Sequence, residues 1–423
     1  MTLPNPKTEG LETRRAALRI LDRVLRTGQT VDSAAQGAKS LKPEDQALSL
    51  AIVGETLRRL PELDALIDGA TRQRLPDDSK ARMVLRLALA QKLALNVPDH
   101  ALVATALPLV DGGPRRLVHG VLGTVLRSGP VASDEPALPQ DVEARWREAW
   151  GEVVVQAARR QIVRRPALDL SFADRDAAGE FAEQTGGVSL ADRHVRLIDS
   201  GAIAALPGFG EGRWWVQDLA ASLPARLVPG KGDVLDACAA PGGKTMQLAA
   251  SGHRVLALDR SANRLKRLSE NLERTGLSAD VEVADALEWT APRQFDAVLI
   301  DAPCSATGTF RRHPEVLYRV RPSYIGEAAS AQLDLLNRAP GWVRPGGTLI
   351  YSVCSLEPEE GEQVVHAFLA ANPDYAIDPP KPGELPDFVK PNERGLVRML
   401  PGMLESDGGL DGFFVARLVR NPT

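Results

Sequence analysis

Residues 233–245 read Asp233-Val234-Leu235-Asp236-Ala237-Cys238-Ala239-Ala240-Pro241-Gly242-Gly243-Lys244-Thr245. The first five form a short apolar run of buried-strand type. Two adjacent glycines then mark a tight turn, and a helical stretch, Thr245–Ala250, follows. A strand that passes through a glycine-rich turn into a helix brings backbone N–H groups close to a ligand. The turn lacks the Gly-x4-Gly-Lys-Ser/Thr of a P-loop, and it is not Gly-x-Gly-x-x-Gly.

Four further apolar runs follow: 254–259, 281–285, 295–301 and 348–353. Helical segments separate them at 262–274, 324–342 and 359–371. Strand–helix alternation with continuous apolar strands predicts a parallel, doubly wound α/β sheet from 216 to 423. The last run, 412–418, reads as a closing strand, antiparallel and at the sheet edge.

Working back toward the N-terminus, residues 1–127 read as all-helical. Apolar residues recur at helical spacing in 14–25, 48–60, 81–95, 101–110 and 117–126, and Pro61 marks an end. Residues 128–140, rich in Pro, Ser and acid, read as a linker. Residues 141–215 read as a small α+β module, with helices near 142–150, 153–164 and 177–184 and strands at 167–172 and 195–198.

A chain of 423 residues with 44% hydrophobic and 25% charged residues fits a multi-domain globular protein. No apolar run reaches membrane-spanning length, and the start lacks a signal-peptide core. Three cysteines and six histidines leave no disulfide framework and no metal-ligand spacing. A cytoplasmic protein without metal or membrane partner is expected, as a monomer. The net charge of −4 divides unevenly: residues 1–130 carry +5 and the rest −9. A basic front suits a nucleic-acid footprint or a solvated helical surface. Arg311, Arg312, Arg319 and Arg321 form a local basic run in the acidic half.

The three cysteines all fall in motif positions. Cys238 precedes the glycine turn and reads as a small packing residue. Cys304 stands in Asp301-Ala302-Pro303-Cys304-Ser305 and Cys354 in Tyr351-Ser352-Val353-Cys354-Ser355, each just past a strand. A thiolate is a strong carbon nucleophile. Acids also end strands: Asp259 is placed for ribose hydroxyls, Asp285 for an adenine amine, Asp301 for the reacting centre. NAD would use an acid at the second strand equally well; paired thiols fit covalent attack on an electron-poor ring instead. Methylation of cytosine C5 from S-adenosylmethionine needs that combination. An amino-group methyltransferase would want Pro-Pro-Tyr/Phe where Pro303-Cys304 stands.

These motifs resemble the RNA cytosine-5 methyltransferases of the NOL/NOP/Sun family, in particular the bacterial RsmB (Sun/Fmu) type, which modifies 16S ribosomal RNA. The resemblance rests on 233–245 and on Val216-Gln217-Asp218. It also rests on Asp301–Ser305 with Thr307-Gly308 and Arg312-His313-Pro314, on Tyr351–Pro358, and on Asp411-Gly412-Phe413-Phe414. It implies a Rossmann-like SAM-dependent methyltransferase domain, with Cys354 as nucleophile and Cys304 assisting product release. Cofactor contacts would fall on Cys238, Ala239, Ala240, Pro241, Gly242, Gly243, Lys244, Asp259, Arg264, Asp285 and Asp301; Asp301 is also catalytic. The front resembles the RNA-binding NusB fold on Arg14-Arg15-Ala16-Ala17 and Gly120-Val121-Leu122 to Leu126-Arg127.

Three departures stand out. Ala306 replaces a usual glycine, Asp169-Leu170-Ser171-Phe172 replaces an Arg-Val-Asn strand, and 402–409 lengthens the approach to Asp411. Arg311, Arg312 and His313 are expected on flanking phosphates, and Trp214 and Trp215 in the core ahead of base stacking. The competing readings are the same reaction on tRNA or 23S ribosomal RNA, and a non-catalytic assembly factor.

Overall fold

The computed structural model describes residues 10–38 and 40–422. They divide into two compact units. One holds the described residues up to Arg164 with Phe310–Val320, the other Arg165–Thr309 with Arg321 onward.

The first unit is helical. Its centre is Lys80–Leu95, in which every residue from Ala81 to Gln91 is buried. Leu11–Thr27, Pro43–Arg58 and Gly112–Arg127 pack around it. Burying Arg82 and Arg86 within that helix requires partners. Asp64 and Asp68 supply them, at 2.6 to 3.1 Å. Pro61 opens a helix here instead of closing one. The chain breaks at Arg59, and Leu60–Gly69 begins with Pro61 in its first turn, where the missing N–H costs nothing.

The unit extends beyond the boundary expected at 127. Segment 128–140 carries no helix or strand before Gln140, yet Ser133 is pinned by Arg59 and Glu62 at 2.9 and 2.8 Å. Gln140–Trp150 and Glu152–Val163 then fall in the same unit as the front helices. Arg58 donates to the Ile162 carbonyl at 2.6 Å, and Trp146 is fully buried against Phe310, ring centroids 5.4 Å apart. Segment Phe310–Val320 is held by the same helices: Arg58 donates to the Arg311 carbonyl and Tyr318 to the Leu57 carbonyl, each at 2.7 Å. Arg311 is therefore buried, and the expectation that it faces phosphates is corrected. Arg312 is exposed and His313 partly so.

The second unit starts with a three-stranded antiparallel sheet. Its strands are β1 (Leu168–Phe172), β2 (His194–Leu197) and β3 (Trp214–Val216), in the order β2-β1-β3. Trp214 and Trp215 are buried in it, as expected of core residues. β3 itself was not foreseen. At three residues it is too short to show a period.

The main sheet follows: β4 (Asp233–Ala237), β5 (Arg254–Asp259), β6 (Asp280–Val283), β7 (Phe295–Asp301), β8 (Val343–Val353), β9 (Tyr375–Ile377), β10 (Val397–Met399) and β11 (Phe413–Arg420). Among the described residues the order is β10-β11-β8-β7-β4-β5-β6, with β9 also on β11. β4 to β8 are mutually parallel. β11 is antiparallel as expected but not at the edge, because β9 and β10 cover its far side. Side chains alternate between two cores: Leu235, Val298 and Tyr351 on one face, Val234, Leu299 and Ile350 on the other. No helix among the described residues is long and apolar enough to cross a membrane.

Candidate active site

Strand order reverses between β4 and β7, since β5 and β6 lie on one side of β4 and β7 and β8 on the other. Loops leaving the carboxyl ends of β4 and β7 therefore diverge and open a crevice. The glycine turn and Asp301 flank that point.

In the turn, Cys238 takes a left-handed conformation with φ 64°, and Gly242 has φ 105°. A Cβ on Gly242 would sit 2.8 Å from the Leu268 side chain, so glycine is required there for conformation and for space. Gly243 opens the following helix, Gly243–Ala250. Lys244, in its first turn, reaches Asp301 at 2.7 Å and lies over the Phe413 ring. The second Asp301 oxygen accepts the Ser352 hydroxyl at 2.9 Å.

Asp259 ends β5 as expected. One of its oxygens accepts the Ala240 N–H at 3.2 Å and the other the Ser261 N–H at 2.9 Å. Arg264 approaches Asp259 to 3.4 Å and also donates to the Ala240 carbonyl. The same acid thus fixes the turn and faces a cavity of about 310 Å³, lined also by Cys238, Arg264, Asp285, Leu287 and Pro303. Asp285 lies two residues past β6, where it accepts the Leu287 N–H at 3.0 Å. Of the expected cofactor residues, Cys238, Asp259, Arg264 and Asp285 share this cavity. Ala239, Ala240, Pro241, Gly242 and Gly243 shape its turn. Lys244 and Asp301 pair beyond it.

Deeper in, Asp236 is fully buried. Burial pushes its carboxyl up to about 7, against the Thr245 hydroxyl that donates to it at 2.6 Å. Its other oxygen has no hydrogen-bond partner. A buried acceptor without a donor, a glycine-only turn and an acid facing the cavity suit a cationic nucleoside such as S-adenosylmethionine. Burial, with Asp259, Asp301 and Asp236 nearby, pushes the Cys238 thiol up to about 12. That shift disfavours the thiolate, in keeping with a packing role.

β7 and β8 run side by side with Asp301 opposite Ser352. Cys304 and Cys354 follow within three residues, and their sulfurs lie 3.5 Å apart. The hydrogen bond to Cys354, then burial, holds the Cys304 thiol well above its ordinary range. Either thiol of the pair can donate to the other.

Of the residues that fix this geometry, Gly308 and Gly412 lie in motifs quoted from the sequence, whereas Glu360 and Gln332 were not singled out. Glu360 is fully buried and accepts the Ser305 N–H and the Gln332 amide, each at 2.8 Å, and the Ser355 hydroxyl at 2.7 Å. Gln332 also donates to the Pro303 carbonyl at 2.9 Å. Gly308 donates to the Cys354 carbonyl at 3.0 Å and accepts the Gly412 N–H at 2.8 Å. The available signal was the serine after each cysteine. Both hydroxyls enter this network, 3.0 Å apart.

The departures also find their places. Ala306 adopts φ 58°, the conformation that favours glycine. Asp169 is buried and forms two 2.7 Å bonds with Arg196. Arg196 in turn donates to the carbonyls of Asp407 and Gly409, at 2.9 and 2.8 Å. The altered strand and the lengthened loop are thus halves of one contact. Burial alone would raise the Asp169 carboxyl, but bonds from Arg196 and His194 outweigh it and hold it low.

Comparison with known proteins agrees with this architecture. Residues 226–419 match the model for 16S rRNA methyltransferase RsmB/F, and residues 11–127 match the NusB family. The Ribosomal RNA small subunit methyltransferase B of Klebsiella pneumoniae subsp. pneumoniae is 32% identical, over 97% of this chain and 99% of its own. The protein of that name from Vibrio vulnificus is also 32% identical, over 97% and 100%. Among solved structures, PH0851 has a similar fold, with TM-score 0.72 at 21% identity over 99% of this chain and 100% of that one. NSun6 from Pyrococcus horikoshii with SFG follows at TM-score 0.59 and 18% identity, over 68% and 99%. With near full-length relatives at 32% identity and both models matched in order, the chain belongs to the RsmB/F family of S-adenosylmethionine-dependent methyltransferases.

Proposed function

We propose that the protein methylates C5 of a specific cytosine in 16S ribosomal RNA, in the cytoplasm, through a covalent bond between Cys354 and cytosine C6. The observation that carries this reading is the 3.5 Å approach of the Cys304 and Cys354 sulfurs beside the Asp301–Lys244 pair. The names of the full-length relatives support the RNA target.

S-adenosylmethionine supplies an electrophilic methyl group when bound. Asp259 and Asp285 hold its ribose and adenine, Arg264 steadies Asp259, and the turn from Cys238 to Lys244 receives its amino-acid end. Asp301, kept in place by Lys244 and Ser352, accepts the cytosine 4-amino protons. Cys354, as thiolate, adds to C6; the S–C6 bond forms and the electron pair moves to C5, which takes the methyl group. Once bonded to carbon, Cys354 carries no charge, so an influence that keeps Cys304 protonated falls away at the step that needs a base. Cys304 gives its proton to solvent and removes the C5 proton. The C5–H electron pair restores the C5=C6 bond as the S–C6 bond breaks, returning the Cys354 thiolate.

C6 is reached from the ring face, so the cytosine leaves its stack, at a cost of roughly a few kcal/mol. A single-stranded loop lowers that cost. The NusB-like helices, with Arg312 and His313, would hold the flanking RNA. The test is nucleoside mass spectrometry after incubation with labelled S-adenosylmethionine and 16S transcript. Labelled 5-methylcytidine that disappears in Cys354→Ser supports the reading; label on another base or position overturns it.

A further inference from the structure

A second cavity, of about 390 Å³, lies in the same unit as the catalytic residues and shares none of its lining with the cofactor cavity. Ser171 and Phe172 of β1 form one wall, and the ends of Leu219–Arg226 and Gly243–Ala250 form another. Three arginines face it: Arg175, Arg193 and Arg226. Two carboxylates also line or border it, and both are engaged. Asp192 pairs with Arg175 at 2.5 Å, and Glu384 pairs with Arg417 at 2.9 Å.

What distinguishes the cavity is its unmet donors. Arg193 Nε, Arg226 Nε and the Ser171 hydroxyl are buried without a hydrogen-bond partner. Arg193 Nε stays 4.0 Å from Asp192, beyond bonding distance. One terminal nitrogen of each of these two arginines is anchored. Arg193 donates to the Ala250 carbonyl at 3.2 Å and Arg226 to the Asp192 carbonyl at 2.6 Å. The guanidiniums are thus held in place with one edge unused. Arg193 also takes a left-handed backbone, φ 52°, uncommon for a non-glycine residue. Burial, together with the charge of Arg193, pulls the Arg226 guanidinium below its ordinary range. Asp192 opposes this shift only in part, and a further anion nearby would oppose it more.

Buried donors left unpaired are costly. Three arginines and a serine lining one cavity suit an oxyanion, which guanidinium groups bind through paired N–H donors. We propose that this cavity is a second anion site, which grips a phosphodiester of the substrate RNA backbone away from the reacting cytosine. The proposal rests on the RNA-methylating function argued above. The cavity volume exceeds that of one phosphate group, as accommodating a continuous backbone requires.

The test is binding of 16S transcript to full-length protein, by fluorescence anisotropy across a potassium chloride series. Wild-type protein must bind first; failure there would count against the RNA substrate itself, and with it this site. Arg193→Gln with Arg226→Gln is expected to weaken binding about tenfold or more and to flatten the log–log salt slope by about one to two. S-adenosylmethionine affinity should be unchanged. Unaltered affinity and slope would overturn the site. Should the double variant melt early, arginine-selective modification of wild-type protein by phenylglyoxal decides: RNA is expected to protect Arg193 and Arg226. Protection by millimolar inorganic phosphate but not by RNA would make this a small-anion site and refute the backbone contact. Protection by neither would refute any anion site.

Discussion

Ser355 donates its hydroxyl to Glu360 at 2.7 Å, and the same carboxylate receives the Ser305 N–H at 2.8 Å. One buried acid therefore ties together the residues directly after both cysteines. Glu360→Ala would take the shared acceptor from three buried donors and leave the Ser305 N–H unpaired, at about 1–3 kcal/mol, and would let the sulfurs separate. A shift of about 1 Å at a reacting group can cost roughly 10²-fold. The variant is expected to lose about that factor in kcat while its affinity for S-adenosylmethionine, measured by calorimetry, changes little. Full turnover by Glu360→Ala would rule out this role.

Glu360 also shows where sequence reading ends. Within Pro358-Glu359-Glu360-Gly361-Glu362 it looks like any solvated acid, and the expected helix began at 359. The helix begins instead at Glu362, which leaves Glu360 free to turn inward toward a helix and a loop 28 and 55 residues away. Such contacts leave no local period. Asp259, Gly242, Cys304 and Cys354 were legible because strand ends and tight turns impose residue types on the chain itself. The edge strands β9 and β10, three residues each, were not, for want of length.

The different roles proposed for the two cysteines give opposite outcomes for their removal. Cys354→Ala takes away the sulfur that bonds C6, so neither methylated RNA nor an adduct is expected. Cys304→Ala leaves attack and methyl transfer possible but removes the group that takes the C5 proton. A protein–RNA adduct stable on a denaturing gel should then accumulate. Release of methylated RNA at the wild-type rate by Cys304→Ala would reassign that step.

Gly308 and Gly412 approach so closely that a Cβ on Gly308 would lie 2.0 Å from the Gly412 carbonyl oxygen. Backbone cannot yield as a flexible side chain does, so Gly308→Ala must part the two loops. The Gly308 N–H bond to the Cys354 carbonyl would go with them. A fall in kcat of about tenfold or more is expected, with cofactor binding retained, because the glycine turn is not involved. Ala306→Gly, at φ 58°, is the counterpart: relieving a left-handed alanine should leave activity intact. Loss of activity in that variant would show that the alanine methyl itself is needed.

Asp236 makes a pH prediction with a definite sign. Its folded-state value, about 7, lies above the ordinary 3.8. Between those values the folded protein holds a proton that the unfolded chain has released, so stability falls as pH rises across that window. The slope is at most about 1.4 kcal/mol per pH unit. Below the window the group contributes nothing, and above it the whole penalty is present. Asp236→Asn keeps an acceptor for Thr245 and removes the charge. In thermal melts of cofactor-free protein, the variant should match wild type near the acid end and gain on it toward pH 8. Saturating S-adenosylmethionine, whose cationic end offsets the buried carboxylate, should shrink that gain. Parallel melting curves from acid to alkaline pH would mean that Asp236 is not a buried, titrating acid at the root of the cofactor turn.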